Sequence, residues 1–538
     1  MIKSVSRMGA RLRGGARAFG HRFAPVATAL MIAGLMIAGL AAAPGHASDG
    51  ATEAPLVSAA QWRHAAETDL RAAHELLARN HPGAVPALHD TAFTDALEHG
   101  FRAALDQAGE VANYEGYQAV LARYANGFGD KHIWSRPLFL PARLDWAGLL
   151  IARQGDQWVV ADEDPDDPAK PLRGWRLIDC DGHSADEVGR GSLGSYMIDW
   201  SVGAQQIQAA PWMLVRSGNP FVAKPKACRF ASGAETRTAT LGWRSIRRDA
   251  LIPRMAALGG AGAAGFGVRP VGKGYWIALQ SLDTGAPAVV AQVASMKAAL
   301  RQAAFVVLDL RGNSGGGSLF GRQIARSLLG DDYVAARIGG SDEDGCEDVW
   351  RASAGNIAQL DNYLVELGPS RGPEFVSIIS ALKAKAIAAA KADAAFTGPT
   401  VCGAGVAPRA APPPAMRGTL VLLTDNACFS SCLAVTSEYL TLGALQVGQT
   451  TDSCTHYTEV RQIVLPSGMS TFSTLQALSP SSPQRFGPFV PKAMFDGDIA
   501  DTHALEAWVQ GLPKLRRGRS SSPSVAPIHR PIAAKDLP

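Results

Sequence analysis

Val306-Val307-Leu308-Asp309-Leu310-Arg311-Gly312-Asn313-Ser314-Gly315-Gly316-Gly317 begins as an aliphatic run and ends in a polar, glycine-rich turn. An apolar run without alternation reads as a strand buried on both faces, as in a parallel sheet. The glycines that follow present backbone N–H groups in a concave turn, where they can hold a developing oxyanion. Three consecutive glycines exceed what a plain turn with positive φ requires. Leu420-Val421-Leu422-Leu423-Thr424-Asp425-Asn426-Ala427-Cys428-Phe429-Ser430-Ser431-Cys432 repeats the design. Here the strand gives way to a serine pair and a helical pattern, so a hydroxyl sits at a helix N-terminus. A nucleophile and an oxyanion hole on neighbouring strand ends are the first two parts of an acyl-transfer site.

Blander roles compete locally. Asn426, Ser430 and Ser431 all suit capping of a helix over Leu433 to Leu440. Cys428 or Cys432 offers a thiol nucleophile, although their spacing equally fits packing or a disulfide. The segment is not Gly-x-Ser-x-Gly, which argues against an α/β-hydrolase fold.

Asp309-Leu310-Arg311-Gly312-Asn313-Ser314-Gly315-Gly316 resembles the signature of the S41 serine peptidases. That group comprises tail-specific (C-terminal processing) proteases, tricorn-type proteases and retinoid-binding-protein repeats. Asp425 to Cys432 resembles the nucleophile segment of the family, with Ser430 at the nucleophile position; Phe429 and the cysteines stand where the family has small residues. Phe128-Gly129-Asp130-Lys131-His132-Ile133 resembles the Asp-x-His segment of the histidine-using branch, and Leu76 to Gly83 is similar to the N-terminal helical region of bacterial members. The resemblance spans most of residues 60–510. It implies an α/β fold whose protease core is a crotonase-like ββα superhelix, with a helical N-terminal domain and a PDZ-like β domain. The expected activity is hydrolysis of a protein or peptide substrate through an acyl-enzyme on Ser430, with no metal or organic cofactor. Gly315 and Gly316 would supply one oxyanion donor, and the Ser431 N–H the other; Arg311 and Asn313 would brace the loop.

A serine hydroxyl needs a base. In the processing-protease branch a lysine follows the nucleophile helix, but Gly448 to His456 contains none, so a Ser-Lys dyad is excluded. His132 is the expected base, by its segment; His456, almost where the lysine is missing, is the alternative. Either imidazole suits general-base work near neutral pH. Glu459 is the expected third member that orients the imidazole, with Asp452 as a second candidate.

Around these segments the chain divides. Residues 1–47 read as a signal peptide, with arginines at 11, 13, 17 and 22, an apolar run from Val26 to Ala43, and a small-x-small site at Gly45-His46-Ala47. A retained membrane anchor is the other reading of that run. Residues 48–138 read as a helical domain and 139–258 as the PDZ-like domain, a class that takes extended peptides by strand addition, or equally as a small β-barrel that serves only as a lid or spacer. Gly259 to Gly267 is a linker, 268–512 the protease core, and 335–415 an insertion that covers or restricts the site. Residues 513–538, rich in Arg, Ser and Pro, read as a disordered tail. The expected location is periplasmic or secreted, with no stable membrane insertion after cleavage.

With 538 residues, 47% hydrophobic and 19% charged, the chain can bury several cores. A net charge of +4 on scattered basic residues does not describe a nucleic-acid binder. Seven cysteines leave at least one unpaired, and no Cys-x-x-Cys suggests zinc. Two other functions fit the same residues. One is a binding protein on an inactive S41 fold; the other is an esterase or thioesterase using the same oxyanion hole.

Overall fold

The computed structural model describes residues 56, 58–166, 171–338, 347–402 and 410–512. The expected signal peptide and tail lie outside the described residues. So do parts of the insertion.

A six-stranded sheet carries the two decisive segments. Its order is Phe266–Val271, Gly274–Leu279, Phe305–Asp309, Thr419–Thr424, Leu445–Gly448 and Ala493–Met494, with only the first pair antiparallel. Phe305–Asp309 is buried at every position, as the lack of alternation in 305–309 predicts. Helices Ala286–Gln302, Leu319–Leu329 and Ser431–Thr441 cover one face, packing on Val306, Leu308 and Leu422. Helix Thr502–Gly511 covers the other, packing through Leu505 and Val509 on Val307 and Val421. Each such buried aliphatic side chain contributes about 1.5–3 kcal/mol. Because the Phe305–Asp309 and Thr419–Thr424 strands are parallel and adjacent, with Asp309 beside Leu423, their C-terminal turns emerge side by side.

The N-terminal helices Ala59–Asn80 and Tyr114–Asn126 pack around Leu70, Leu77, Tyr117 and Leu121. Ser58 starts the first with a capping box to Gln61, and His81-Pro82-Gly83 ends it, since proline removes a helix donor. This layer rests on strand Ser470–Leu478 through Phe472 and Leu475. The same strand pairs with Ser135–Pro137, so it sets the loop just before residue 135.

Between residues 143 and 247 the chain forms two smaller sheets. In one, Leu149–Gln154, Gln157–Glu163, Arg176–Cys180, Ala227–Ser232 and Glu235–Thr240 lie in that order. Cys180 and Cys228 face each other across it and are joined by a disulfide. The short helix Gly203–Ala209 leaves this region and reaches the core: Gln205 donates to Asp452 Oδ1 at 2.7 Å and Gln208 to the Asn426 carbonyl at 2.5 Å.

The insertion holds helices Ala354–Glu366 and Pro373–Lys391, which close on Trp350, Phe375 and Ile379. Its hydrogen bonds run to His81 and Asn80 of the N-terminal layer: Arg351 donates to the His81 carbonyl and Ser353 to Asn80 Oδ1. It pairs through Val349–Trp350 with the far end of Ser470–Leu478. Among the described residues it makes no recorded hydrogen bond to Ser430 or His132. Its apolar helix faces find their partner in each other and in Ala477 of strand Ser470–Leu478.

Candidate active site

Ser430 sits where strand Thr419–Thr424 has ended and helix Ser431–Thr441 begins. It occupies the N-cap position, yet its hydroxyl makes no capping bond. Its backbone has φ 57° and ψ −129°, a region that costs a non-glycine residue about 1–3 kcal/mol. Such a turn thrusts the side chain away from both strand and helix, as in a nucleophile elbow. The elbow conformation is therefore present without the Gly-x-Ser-x-Gly sequence.

The hydroxyl meets an imidazole: His132 Nε2 lies 2.9 Å from Ser430 Oγ. The other ring nitrogen, Nδ1, lies 2.8 Å from Asp130 Oδ1. Asp130 Oδ1 also accepts the His132 backbone N–H at 2.8 Å, a two-residue Asx turn that fixes ring and carboxylate together. Asp130 Oδ2 accepts the Thr455 N–H at 3.0 Å and the Thr455 hydroxyl. Burial would raise the Asp130 carboxyl, but the His132 charge and hydrogen bonds from His132 and Thr455 outweigh it and hold the group well below the usual carboxylate range. An ionised Asp130 favours the tautomer with hydrogen on Nδ1, leaving the Nε2 lone pair for the serine proton. His132 is buried on a loop tied to strand Ser470–Leu478, where Ser473 donates to the His132 carbonyl at 2.7 Å. Its ring packs against Phe429, with centroids 4.5 Å apart.

The glycine turn lies directly against the nucleophile. A Cβ on Gly315 would stand 2.9 Å from Ser430 Cβ, and one on Gly316 would stand 2.2 Å from the Leu282 carbonyl oxygen. Both glycines have positive φ, 113° and 125°. Gly315 donates its N–H to Asn313 Oδ1 at 2.9 Å, and Gly317 donates to the Leu282 carbonyl at 2.5 Å. Among the described residues the N–H groups of Gly316 and Ser431 donate to no acceptor, and Ser431 Oγ donates to the Gly316 carbonyl at 2.6 Å, in the peptide that follows. Of the two glycines named from sequence, Gly316 thus has the open donor and Gly315 the close approach. Arg311 turns away from the nucleophile: it is fully buried against Asp309 and donates to the Ile499 carbonyl at 2.7 Å. Asn313 spans the loop, donating to the Leu279 carbonyl at 2.7 Å.

The structure brings Ser430, His132, Gly315, Gly316 and Ser431 together. Glu459 and His456 lie elsewhere, and this corrects the expected third member. Glu459 is buried with Oε2 unpartnered, in the field of Asp348, and burial keeps its carboxyl well above the usual range. It cannot orient His132, because Asp130 already occupies Nδ1. His456 packs against Tyr457, its Nε2 lacks a partner, and burial lowers its basicity. Asp452 is taken by Lys131, whose Nζ lies 2.8 Å away, and by Gln205. The contact of Asp130 with His132 was not among the expectations; its sequence signal is an aspartate two residues before the histidine, the spacing of an Asx turn. Cys428 and Cys432 are joined to each other, so neither is a free thiol, and Cys454 is the unpaired buried cysteine among the described residues. No group of metal-binding side chains occurs among the described residues.

No protein-family model matches the sequence, and no curated protein matches it significantly. Solved structures do. Mature CPAF matches with a TM-score of 0.54 at 13% identity, over 84% of this chain and 97% of that one. Mature CPAF complexed with lactacystin matches at the same TM-score and identity, over 84% of this chain and 98% of that one. The photosystem II D1 C-terminal processing protease is matched over 80% of this chain, but with a TM-score of 0.29, too low to carry an argument. In its fold the chain is similar to mature CPAF.

Proposed function

We propose that the chain is a serine peptidase that hydrolyses peptide bonds through an acyl-enzyme on Ser430. The observation that carries this reading is the unbroken relay from Asp130 through His132 to Ser430, facing two open N–H donors. His132 Nε2 takes the serine proton as Oγ attacks the substrate carbonyl carbon. The carbonyl oxygen becomes an oxyanion between the N–H groups of Gly316 and Ser431. His132 then gives its proton to the leaving amine, and water repeats the sequence on the acyl-enzyme. Asp130 stabilises the imidazolium without taking a proton. No step calls for a cofactor.

Residues 268–512 are the crotonase-like core in this reading, 48–138 its helical partner, and 139–258 a PDZ-like domain that presents extended peptides. Export fits the disulfides, which persist in oxidising compartments. Among the described residues no helix is long and apolar enough to cross a membrane. The aligned relay speaks against an inactive binding protein, which has no need to hold a strained serine at a histidine. An esterase would use the same parts, so substrates must decide. The test is labelling by a fluorophosphonate, followed by turnover of peptide and ester substrates. Labelling of wild type but not of Ser430→Ala, with peptide turnover, is the expected result. Absence of labelling in both returns the binding-protein reading; ester turnover alone returns the esterase.

A further inference from the structure

The sequence Cys428-Phe429-Ser430-Ser431-Cys432 places the nucleophile at the centre of a five-residue loop closed by a disulfide. Both cysteines are fully buried, with Cα atoms 5.3 Å apart. Each is anchored on a different element. The Cys428 N–H donates to the Asp425 carbonyl at the strand end, and the Cys428 carbonyl accepts from Asp452 at 3.1 Å. Cys432 lies in the first turn of helix Ser431–Thr441, with its sulfur in the helix-covered core. The bond therefore ties strand end to helix start across the residue whose backbone is strained.

The other restraints on this turn are single hydrogen bonds, among them Ser431 Oγ to the Gly316 carbonyl. Phe429 donates to the Asn313 carbonyl at 3.3 Å and Leu433 donates to the Ser430 carbonyl at 2.8 Å. Cys432 also donates to the Phe429 carbonyl at 3.1 Å, and the Leu433 bond holds the carbonyl end of the peptide joining Ser430 to Ser431, while its N–H end is held by no hydrogen bond among the described residues. That peptide matters twice, since the Ser430 side chain is the proposed nucleophile and the Ser431 N–H a proposed oxyanion donor. A relaxation of φ at Ser430 from 57° toward an ordinary value would move both at once.

We infer that Cys428 and Cys432 are positioning residues for the reaction: their disulfide holds the Ser430 turn in its attacking geometry, and loss of that bond lowers turnover without unfolding the protein. The inference rests on the peptidase reading of Ser430. Reduction by a dithiol transfers two electrons and two protons; the sulfur–sulfur bond becomes two thiols, and the dithiol closes to its own disulfide. Closing so short a loop removes less chain entropy from the unfolded state than closing a long one, so the effect is local. A misplacement of about 1 Å at a reacting atom costs about 10²-fold in rate.

The experiment compares full-length wild type, Cys428→Ala/Cys432→Ala, and Cys180→Ala/Cys228→Ala, each checked for folding by circular dichroism and thermal melting. Expected for the first double variant is a roughly 10–10²-fold fall in kcat and in the rate of fluorophosphonate labelling, with KM unchanged within about threefold. The second pair, in the middle sheet, controls for loss of a disulfide as such: its rate of fluorophosphonate labelling falls less than that of the first pair. Wild type reduced with dithiothreitol, with alkylation of Cys428 and Cys432 mapped by mass spectrometry, shows the same loss; reoxidation before alkylation restores activity. If the first double variant does not fold, the reduced wild type decides. Wild-type kcat in a folded Cys428→Ala/Cys432→Ala protein, or in enzyme mapped as reduced there, overturns the inference. Retained turnover in Ser430→Ala instead overturns the reading beneath it, a separate outcome.

Discussion

Residues 130–132 and residues 452–459 offer the same chemical parts, an imidazole and at least one carboxylate on a short segment. Their environments assign them opposite work. In the first, one aspartate two residues from the histidine binds both its backbone and its ring, and Thr455 satisfies the second carboxylate oxygen. In the second, the carboxylates are dispersed: Asp452 pairs with Lys131, while Glu459 faces the interior with an unpartnered oxygen and His456 lies on Tyr457. Proximity in sequence to a missing lysine does not make a base; a base needs an open lone pair aimed at the nucleophile and a partner that fixes the tautomer. The second loop still serves the site, because Thr455 holds Asp130 and Asp452 anchors Lys131 and Cys428.

The largest test of this contrast is to remove each histidine in turn. His132→Ala should lower kcat by about 10⁴–10⁶, close to the loss in Ser430→Ala, because triad members act as a unit. His456→Ala should stay within about threefold of wild type. Steady-state kinetics on a peptide substrate reads both. The reverse pattern would transfer the base to the second loop and break the comparison.

Next in size is Asp130→Asn. The amide keeps the shape but its nitrogen cannot accept the Nδ1 hydrogen, so the wrong tautomer is favoured; a loss of about 10³–10⁴ in kcat is expected, with KM little changed. Glu459→Gln, measured beside it, should keep wild-type kcat. Equal effects of the two substitutions would restore Glu459 to the catalytic group.

Much of the site was legible in the sequence, for a physical reason. Continuous aliphatic runs such as 306–308 and 420–423 mark strands buried on both faces, and adjacent parallel strands put their C-terminal turns together, so Ser430 and the glycines could be paired before any coordinates. The Asp130 role was within reach, being a local turn. The position of Glu459 was not, since it depends on the register of Tyr457–Val464 against Ser470–Leu478, where Thr458 pairs with Ala477 and Val460 with Leu475. Glu459 itself has φ 64°, a backbone irregularity that alternation cannot reveal. The packing of the insertion was not legible either, since its helix faces meet Trp350 and Ala477, residues far apart in sequence.

A smaller loss tests the glycine turn. Gly316→Val puts a branched side chain where the Leu282 carbonyl stands and at φ 125°, so the turn must shift. The open N–H then leaves the oxyanion position, and kcat should fall about 10²–10³-fold. Thermal melting checks that the loss is not unfolding. A folded variant with wild-type kcat would reduce residues 315–317 to a connection.

The smallest effect on turnover, and the sharpest on stability, belongs to Glu459→Gln. Burial, then the nearby Asp348 charge, keeps the Glu459 carboxyl protonated in the folded protein well above the pH at which an unfolded glutamate ionises, about 4.3. Between those two values the unfolded chain has released a proton that the folded chain retains. Folding therefore takes up a proton there, and stability falls as pH rises through that window. The slope for one such group is about 1.4 kcal/mol per pH unit. Glutamine cannot ionise, so the variant loses this slope while wild type keeps it; slopes from other buried carboxyls such as Asp425, raised to about 6, are common to both proteins and cancel in the difference. The melting temperature of Glu459→Gln minus that of wild type should then grow from pH 5 to pH 8, with kcat unchanged at either end. A flat difference would mean that Glu459 is ionised in the folded state, which its surroundings can support only if a cation or the site itself lies closer than the structure places it.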